Sequence, residues 1–245
     1  MTRARQAIVN ADDFGMSDGV NLGIIEAHEQ GIVTSASLMV RGPAAAAAAA
    51  LASERPSLGL GLHVDLGEWS YHDGDWSRVY SVVDLDDSAA VSAEVRRQVE
   101  AFEALTGRQP DHLDSHQHVH LSDPVSAEVI AAAARELDIG LRQRHPAVAY
   151  VALYGQDRHG RSLPDAISPD AWIAALRQLG PGITEVACHP GHPEELASDY
   201  AAERAIELAS LCDPAVRAAV QAEAIVLTTW RGLGFGDRVA ETARA

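Results

Sequence analysis

Two adjacent carboxylates follow a short apolar stretch near the start of the sequence, which reads Ile8-Val9-Asn10-Ala11-Asp12-Asp13-Phe14-Gly15. A β-branched run that ends in acids and a glycine is typical of a buried strand whose carboxyl end presents the acids at a turn. Neighbouring side chains on a regular strand point to opposite faces, so both acids serve one site only if the backbone bends, which Gly15 permits. Converging carboxylates repel each other unless a cation or a shared proton lies between them. The pair therefore predicts a metal site, although Asp-Asp also occurs as a simple loop start or helix cap.

A second cluster, His112-Leu113-Asp114-Ser115-His116-Gln117-His118-Val119-His120, places three histidines at alternate positions. On an extended strand, alternate residues would be about 6.6 Å apart, and His116 and His120 about 13 Å apart. One ion therefore takes one ligand from this run, or two if the chain bends. His116 is the first candidate, with His118 and His120 as alternative ligands. Asp114 is placed to accept a hydrogen bond from the second ring nitrogen of a metal-binding histidine.

The polar clusters lie at or just after stretches that have the composition of strands. His63 lies within the alternating run 58–66, and His189 directly follows the apolar run 184–188. In a sheet built from strand, loop and helix units, the carboxyl ends of the parallel strands meet at one edge. The order of elements predicts an α/β fold, with a closed or nearly closed barrel in one domain of residues 1–245. An open doubly wound sheet is the alternative.

The elements that must position these residues can be read from apolar spacing and capping residues. Helical spacing predicts helices over residues 18–30, 43–53, 88–107, 124–138, 168–179, 199–211 and 214–222. Short apolar runs predict further strands at 32–40, 141–144 and 224–228.

Residues 67–87 form a long stretch with no predicted element, and they contain several aromatic side chains. Long loops with aromatic residues beside a barrel are often binding lids, so we expect this segment to cover the site. Trp69, Tyr71 and Trp76 are then candidate substrate-binding residues. The alternative is that these aromatic side chains only hold the loop against the body of the protein.

The composition limits the classes of partner. The chain has 35 acidic and 19 basic residues and a formal net charge of −16. Nucleic acids and anionic membranes are bound through positive patches, so we expect neither as a partner. The longest apolar tract, residues 44–52, is alanine-rich and far too short to span a bilayer.

The expected compartment follows from the N-terminus and the cysteines. No apolar run follows the basic residues at positions 3 and 5, so we see no signal peptide. Without an export signal, Cys188 and Cys212 are expected to be reduced thiols. We therefore expect a cytoplasmic protein.

Four segments together resemble the YdjC-like carbohydrate deacetylases, a family that includes chitooligosaccharide deacetylases. They are Asn10-Ala11-Asp12-Asp13-Phe14-Gly15, Gly61-Leu62-His63, the segment from His112 to His120, and His189-Pro190-Gly191. Each segment is short, but their order and spacing are a specific combination. The resemblance extends from the first strand to the late Cys-His-Pro-Gly segment and so covers most of the chain.

The resemblance implies a fold and a set of roles. The fold is a deformed (β/α) barrel of the polysaccharide-deacetylase-like type. The implied metal ligands are Asp13, His63 and His116, which hold one divalent ion, Mg²⁺ or Zn²⁺. Asp12 matches the general base and His189 the general acid. The family acts on N-acetylated sugars, and many of its members are homodimers.

The resemblance also implies a further contact. The segment around Arg142 is similar to an arginine-containing strand that family members carry near the substrate, which makes Arg142 a candidate substrate-binding residue.

The residue chemistry agrees with amide hydrolysis, because an ion with an open coordination position activates water and polarises a carbonyl. Three other interpretations remain open. One is a metal-dependent hydrolase of another ester or amide bond, or of a phosphoester, for which an Arg or Lys cluster would be expected. The others are a non-catalytic sugar- or metal-binding relative and a structural metal site closed by four protein ligands.

Overall fold

The computed structural model describes residues 4–72, 74–193 and 198–236. Within these ranges the strands are β1 (Arg5–Phe14), β2 (Ser35–Leu38), β3 (Gly59–Val64), β4 (Gly67–His72), β5 (Asp75–Ser81), β6 (His112–Ser115), β7 (Gly140–Leu141), β8 (Val148–Ala152), β9 (Gly182–Cys188) and β10 (Val226–Leu227). The helices are α1 (Asp18–Glu29), α2 (Ala45–Ser53), α3 (Ser88–Thr106), α4 (Val119–Ser122), α5 (Pro124–Leu137), α6 (Pro169–Gln178), α7 (Ala201–Cys212) and α8 (Pro214–Ala222).

One parallel sheet organises the fold. Its strand order is β7-β6-β3-β2-β1-β9-β8, and β10 also pairs with β1 near the start of that strand. The sheet curls into a half-barrel, and within the described ranges no ladder joins the two end strands β7 and β8. The predicted deformed α/β barrel is thus confirmed. Because its strands are parallel, their carboxyl ends lie at one edge of the sheet.

Strand β1 lies inside the sheet between β2 and β9 and is irregular near its end. Asp13 has a left-handed backbone with φ of 67°, and the register between β1 and β2 shifts between Ala11 and Phe14. The bend that the sequence required therefore lies at Asp13 itself, with Gly15 following at φ of 100°. Left-handed backbone is strained for a residue with a side chain, and such strain concentrates at functional sites.

The histidine cluster leaves the sheet by a tight turn. Strand β6 ends at Ser115, and a 3-10 turn over His116–His118 follows, in which Gln117 and His118 have φ of 49° and 55°. The chain then enters α4. Because of this turn, the three histidines do not lie along one strand, and their side chains reach different surroundings.

Residues 67–87 are not an irregular loop. Strands β4 and β5 form an antiparallel hairpin, paired from Gly67 with Ser81 to His72 with Asp75. Helix α3 then starts at Ser88. The expectation of an irregular segment was wrong, because the hairpin is built mainly from aromatic, serine and acidic residues and carries little of the aliphatic pattern of a strand.

The amino ends of the strands are closed by packing. The indole of Trp230 is completely buried and stacks on the His112 ring at a centroid distance of 5.3 Å. A Cβ on Gly61 would come within 2.3 Å of that histidine ring, so this glycine allows the close approach. Helix α3 adds the buried side chains Val91 and Phe102 to the core. Each such side chain contributes about 1.5–3 kcal/mol on burial.

Most predicted elements are present with bounds shifted by a few residues. Strand β8 was missed, and the strand predicted at 141–144 is only β7. Helices α5 and α6 begin as expected, with Asp123 and Ser168 as N-caps and a proline in the first turn. None of the helices in the described part of the chain has the length and apolar character required to cross a bilayer. Cys188 and Cys212 are both free thiols.

Candidate active site

Asp13 is the central acid of the site at the carboxyl edge of the sheet. Its Oδ1 lies 3.1 Å from Nδ1 of His116 and 3.3 Å from Nε2 of His63. Its Oδ2 accepts a hydrogen bond of 2.5 Å from the buried guanidinium of Arg204 on α7. Burial alone would raise the pKa of Asp13, but the charge of Arg204 and the two histidines hold it well below its usual value. Asp13 is therefore a carboxylate with one oxygen directed at two imidazoles.

Asp13, His63 and His116 form a compact set of potential metal ligands. One ligand atom from each lies within 4.8 Å of the others, and all three side chains are buried. The rings of His63 and His116 meet edge to face, and Nε2 of His116 is buried with no hydrogen-bond partner. One carboxylate and two imidazoles leave an open coordination position, which is the donor set of a catalytic divalent metal site. The side chains of Asp13, His63 and His116 therefore fit one divalent metal ion.

Asp114 orients His63. The register of β3 and β6 pairs these two residues, and Oδ1 of Asp114 accepts a 2.7 Å hydrogen bond from Nδ1 of His63. This contact directs Nε2 of His63 toward Asp13, and a carboxylate on the second ring nitrogen is the usual arrangement for a metal-binding histidine. Burial would lower the pKa of His63, but Asp114 outweighs it and raises that pKa to about 10. Without an ion, the imidazole carries a proton that a metal would displace.

Two other buried groups of acids and histidines lie close enough to be considered as metal sites. They are Asp12, His63 and Asp114, and His112, Asp114 and Glu185. The guanidinium of Arg142 lies among the carboxylates of both groups, and its charge disfavours a second cation there. The group around Asp13 is therefore the better candidate.

Asp12 is buried beside the candidate metal site and is fixed in place. Its two oxygens accept hydrogen bonds of 2.6 and 2.7 Å from Arg142, and Oδ1 also accepts from the Asn10 amide at 2.9 Å. Burial would raise the pKa of Asp12, but the charge and hydrogen bonds of Arg142 lower it overall. The side chain is thus an oriented carboxylate at neutral pH.

Arg142 does not occupy the position that the sequence predicted. It was a candidate substrate contact, but its side chain is completely buried and donates hydrogen bonds to Asp12 and Glu185. It also forms an ion pair with Asp114 at 2.8 Å. The physical reason is that three neighbouring buried acids need a cation, and the guanidinium supplies it, with a bidentate contact to Asp12.

His189 lies beside Asp12 in the site. Its Nε2 is 3.8 Å from Oδ2 of Asp12, and its Nδ1 is 3.6 Å from the Glu207 carboxylate on α7. Glu207 also accepts hydrogen bonds from the His189 backbone and from the Tyr200 hydroxyl, both at 2.6 Å. Burial would lower the pKa of His189, but Glu207 raises it overall. The surroundings of His189 therefore favour the protonated form of its imidazole.

The other two histidines of the cluster have separate surroundings. Nδ1 of His120 lies 2.7 Å from the Ser115 hydroxyl, and the His118 ring meets Tyr150 edge to face at 6.2 Å. Desolvation, followed by the charge of Arg142 for His118, lowers the pKa of His118 to about 4, and desolvation lowers that of His120 to about 3. The groups of mutually close ligands in the described residues include neither of them.

A cavity of about 1020 Å³ opens over Asp12, Asp13 and His189. Trp69, Tyr71 and Trp76 of the hairpin line one wall, as expected for a segment that covers the site. The Tyr71 and Trp76 rings pack edge to face at 5.6 Å. Two hydrogen bonds of 2.9 and 2.8 Å join the Trp69 backbone to the Gln117 side chain, which couples the hairpin to the turn that carries His116.

Four charged or polar residues of the site were not among those predicted from the sequence. They are Arg204 and Glu207 on α7, Glu185 on β9, and Ser37 on β2, which donates a hydrogen bond of 2.7 Å to Asp114. The available signal was on α7, where Glu203, Arg204 and Glu207 share one face at spacings of three and four residues. Such a charged face normally faces solvent, but here it is buried.

Comparisons with known proteins are consistent with this geometry. A model of the YdjC-like protein family matches residues 6–222. A carbohydrate deacetylase from Geobacillus stearothermophilus is 35% identical, over 93% of this chain and 97% of the relative. A chitooligosaccharide deacetylase from Serratia marcescens is 31% identical, over 92% of this chain and 98% of the relative.

Two solved structures share the fold. A proposed cellobiose-phosphate cleavage protein from Enterococcus faecalis superimposes with a TM-score of 0.73 at 24% identity, covering 94% of this chain and 99% of the other. A family 4 carbohydrate esterase from Streptomyces lividans gives a TM-score of 0.55 at 14% identity, covering 96% and 98% of the two chains. These likenesses support the deformed barrel.

Proposed function

The chain belongs to the YdjC-like protein family, and on this premise we propose that it is a metal-dependent hydrolase that removes acetyl groups from N-acetylated sugars or oligosaccharides. The observation that carries the proposal is the convergence of Asp13, His63 and His116, with Asp12 and His189 lining the same cavity. The named deacetylase activities of the relatives from Geobacillus and Serratia support the choice of reaction.

We propose that Asp13, His63 and His116 hold one divalent ion. An aspartate with two histidines suits Zn²⁺, and the surrounding carboxylates also admit Mg²⁺. When bound, such an ion supplies Lewis-acid activation of a water molecule and of the acetamide carbonyl.

Asp12 and His189 divide the proton transfers between them. Asp12 takes a proton from the attacking water as the water oxygen bonds to the acetyl carbon. His189 gives a proton to the sugar nitrogen as the carbon–nitrogen bond breaks, so that acetate and a sugar amine leave. Arg142 reduces the basicity of Asp12 but keeps it ionised and oriented, and Glu207 stabilises the protonated form of His189.

The competing interpretations fit the structure less well. A phosphoester substrate would want free cations, but Arg204 is the one arginine of the described cavity lining and it already pairs with Asp13. A non-catalytic binding protein needs neither an oriented base nor an acid. A closed structural site would need a fourth ligand, which the group of mutually close residues does not contain.

We further propose that residues 1–245 act as one domain in the cytoplasm, in keeping with the two free thiols. A homodimer is the expected assembly, because homodimers are common in the family that the sequence resembles. Light scattering during gel filtration measures the mass directly.

The proposed reaction is tested by acetate release from a panel of N-acetylated sugars of one, two and three units, with and without a chelator. An O-acetylated xylo-oligosaccharide serves as the ester control. We expect chelator-sensitive acetate release from at least one N-acetylated sugar. Release from the ester alone would favour the competing hydrolase interpretation.

Trp76→Ala is expected to raise KM for an N-acetylated oligosaccharide about tenfold and to change kcat less. The indole lines the cavity and is 54% exposed, so the substitution removes a stacking surface at little cost to the core. Val79→Ala is the matched control, since Val79 is equally exposed on the same hairpin and does not line the cavity. An unchanged KM for Trp76→Ala would remove the hairpin from the substrate site.

Glu207→Gln is expected to move the alkaline limb of the pH profile of kcat/KM to lower pH. The carboxylate raises the pKa of His189, and an imidazole with a raised pKa stays protonated until the pH rises through that value. The amide removes the anion, so the acid form of His189 is lost at lower pH. If kcat/KM instead fell by the same factor at every pH and the alkaline limb did not move, Glu207 would have only a structural role.

A further inference from the structure

Glu185 is a buried acid that the proposed reaction does not use. It lies on β9, its side chain has no exposed surface, and it is not among the described residues that line the cavity. Its Oε1 accepts a hydrogen bond of 2.9 Å from Nε of Arg142, and within the described ranges its Oε2 is buried with no hydrogen-bond partner. A buried carboxylate with an unpaired oxygen costs folding stability. Costs of this kind are found at functional sites.

Arg142 connects Glu185 to the proposed general base. Its two terminal nitrogens donate hydrogen bonds of 2.6 and 2.7 Å to the two oxygens of Asp12. One of these nitrogens also pairs with Asp114 at 2.8 Å, and Nε donates to Glu185. A planar guanidinium that is held at Nε as well as at both terminal nitrogens has a single orientation.

Glu185 has firmer backbone support than Arg142. It lies inside the sheet, in register with Ile8 of β1 on one side and with Tyr150 of β8 on the other. Arg142 lies in the turn that directly follows the two-residue strand β7. Groups on regular strands are held more precisely than groups on loops. Glu185 therefore supplies the guanidinium with a fixed acceptor that the turn does not provide.

The orientation of Asp12 depends on the guanidinium. Among the described residues only Arg142 donates a hydrogen bond to Oδ2 of Asp12, while Asn10 donates to Oδ1. If Arg142 tilted, Oδ2 would lose its donor and the carboxylate could rotate. A displacement of about 1 Å caused by a residue far from the chemistry can slow a reaction by up to about 10²-fold.

We propose that Glu185 is a positioning residue for the general base. It holds Nε of Arg142, and Arg142 in turn holds both oxygens of Asp12 in the orientation that takes a proton from the attacking water. The inference rests on the proposed function, because it takes Asp12 to be the base. What Glu185 contributes is the reach of its side chain, so a neutral acceptor of the same length should serve as well.

The alternative role for Glu185 is to balance charge. Arg142 faces three carboxylates, those of Asp12, Asp114 and Glu185. The first two already outweigh one guanidinium, so the third is not needed as a counter-charge. Burial raises the pKa of Glu185 overall, although Arg142 acts in the opposite direction. The surroundings therefore disfavour the charge of Glu185 and retain its hydrogen bond.

Two conservative substitutions separate reach from charge. Glu185→Asp keeps the charge but shortens the side chain by one carbon–carbon bond of about 1.5 Å, so its oxygen no longer reaches Nε. Glu185→Gln keeps the length and an acceptor oxygen but loses the charge. On the N-acetylated sugar that responds best, Glu185→Asp is expected to lower kcat about tenfold and to change KM less than about twofold. Glu185→Gln is expected to keep kcat within about threefold of wild type.

The matched control is Glu94→Asp. Glu94 is also a buried glutamate that pairs with arginines, but it lies on α3 and does not line the described cavity. Its shortening should leave kcat unchanged.

Combining Glu185→Asp with Asp12→Asn shows whether Glu185 acts through the base. If it does, Glu185→Asp has little further effect on kcat once Asp12 is an asparagine. Metal content in Glu185→Asp should match wild type, because Glu185 contacts none of the proposed ligands. Additive losses in the double variant, equal losses of kcat in Glu185→Asp and Glu185→Gln, an unchanged kcat in Glu185→Asp, or loss of metal would each overturn the inference.

Crystal structures of the two Glu185 variants test the geometry without any substrate. Arg142 should keep both hydrogen bonds to Asp12 in Glu185→Gln and lose at least one of them in Glu185→Asp. If no sugar released acetate but the structures differed in this way, the proposed function would fail and the positioning of Arg142 by Glu185 would stand. If acetate release were normal and Arg142 kept both hydrogen bonds in Glu185→Asp, the inference would fail and the proposed function would stand.

Discussion

Asp13→Asn is expected to weaken binding of the divalent ion, and with it acetate release, by more than about 10²-fold. The substitution removes the only anion from the proposed ligand set and leaves His63 and His116 in place. Asparagine tolerates the left-handed backbone that position 13 requires, so the bend in β1 should persist. Metal content after dialysis, measured together with acetate release, checks the expectation.

The control for this variant is its thermal stability, because Arg204 is buried and loses its anionic partner. A folded Asp13→Asn protein that keeps a full equivalent of metal would contradict the ligand assignment. If the variant does not fold, His63→Gln provides the second test, since it removes a neutral ligand and creates no unpaired buried cation.

Asp12→Asn is expected to keep the ion and the fold while slowing hydrolysis by roughly 10²–10⁴-fold, the usual range for loss of general acid–base assistance. The amide oxygen can still accept a hydrogen bond from Arg142, but it cannot take a proton from water. The two variants are therefore expected to differ in their metal content. Asp13→Asn loses the bound ion, whereas Asp12→Asn keeps the ion and loses only the rate of hydrolysis. Full activity in Asp12→Asn would exclude the proposed base while leaving the metal site intact.

The positions of the strand ends could be predicted from the sequence because they depend on residues that are consecutive in the chain. The apolar run of β1 followed by two acids, and the alternating run of β3 around His63, both identify the carboxyl edge of a parallel sheet. The need for a bend at the paired acids also followed from strand geometry. The location of the bend at Asp13 could not be predicted in the same way, because glycine is the residue expected in left-handed backbone.

The hairpin β4–β5 could have been found from a signal that was present. An Asp-Gly pair at positions 73 and 74 separates two stretches of alternating residues, which is a strong short-range hairpin signature. Its aromatic residues were predicted to face the site, and they line the cavity. Their contact with a sugar stays a prediction.

The charged partners of the site could not be predicted, because they depend on contacts between residues distant in sequence. Arg204 reaches Asp13 across 191 residues, and Arg142 reaches Asp12 across 130. A buried arginine has the same local sequence pattern as one that contacts a ligand. Only the fold shows that both arginines neutralise buried acids, which is why Arg142 was assigned to the substrate.

The most direct test of the central claim removes and restores the ion in one preparation. The protein is stripped with a chelator, its metal content is measured, and acetate release from the responsive N-acetylated sugar is followed as Zn²⁺ or Mg²⁺ is added back. Activity is expected to be lost with the metal and to return in proportion to metal occupancy, with a maximum near one ion per chain. Undiminished acetate release from protein shown to be free of metal would contradict it.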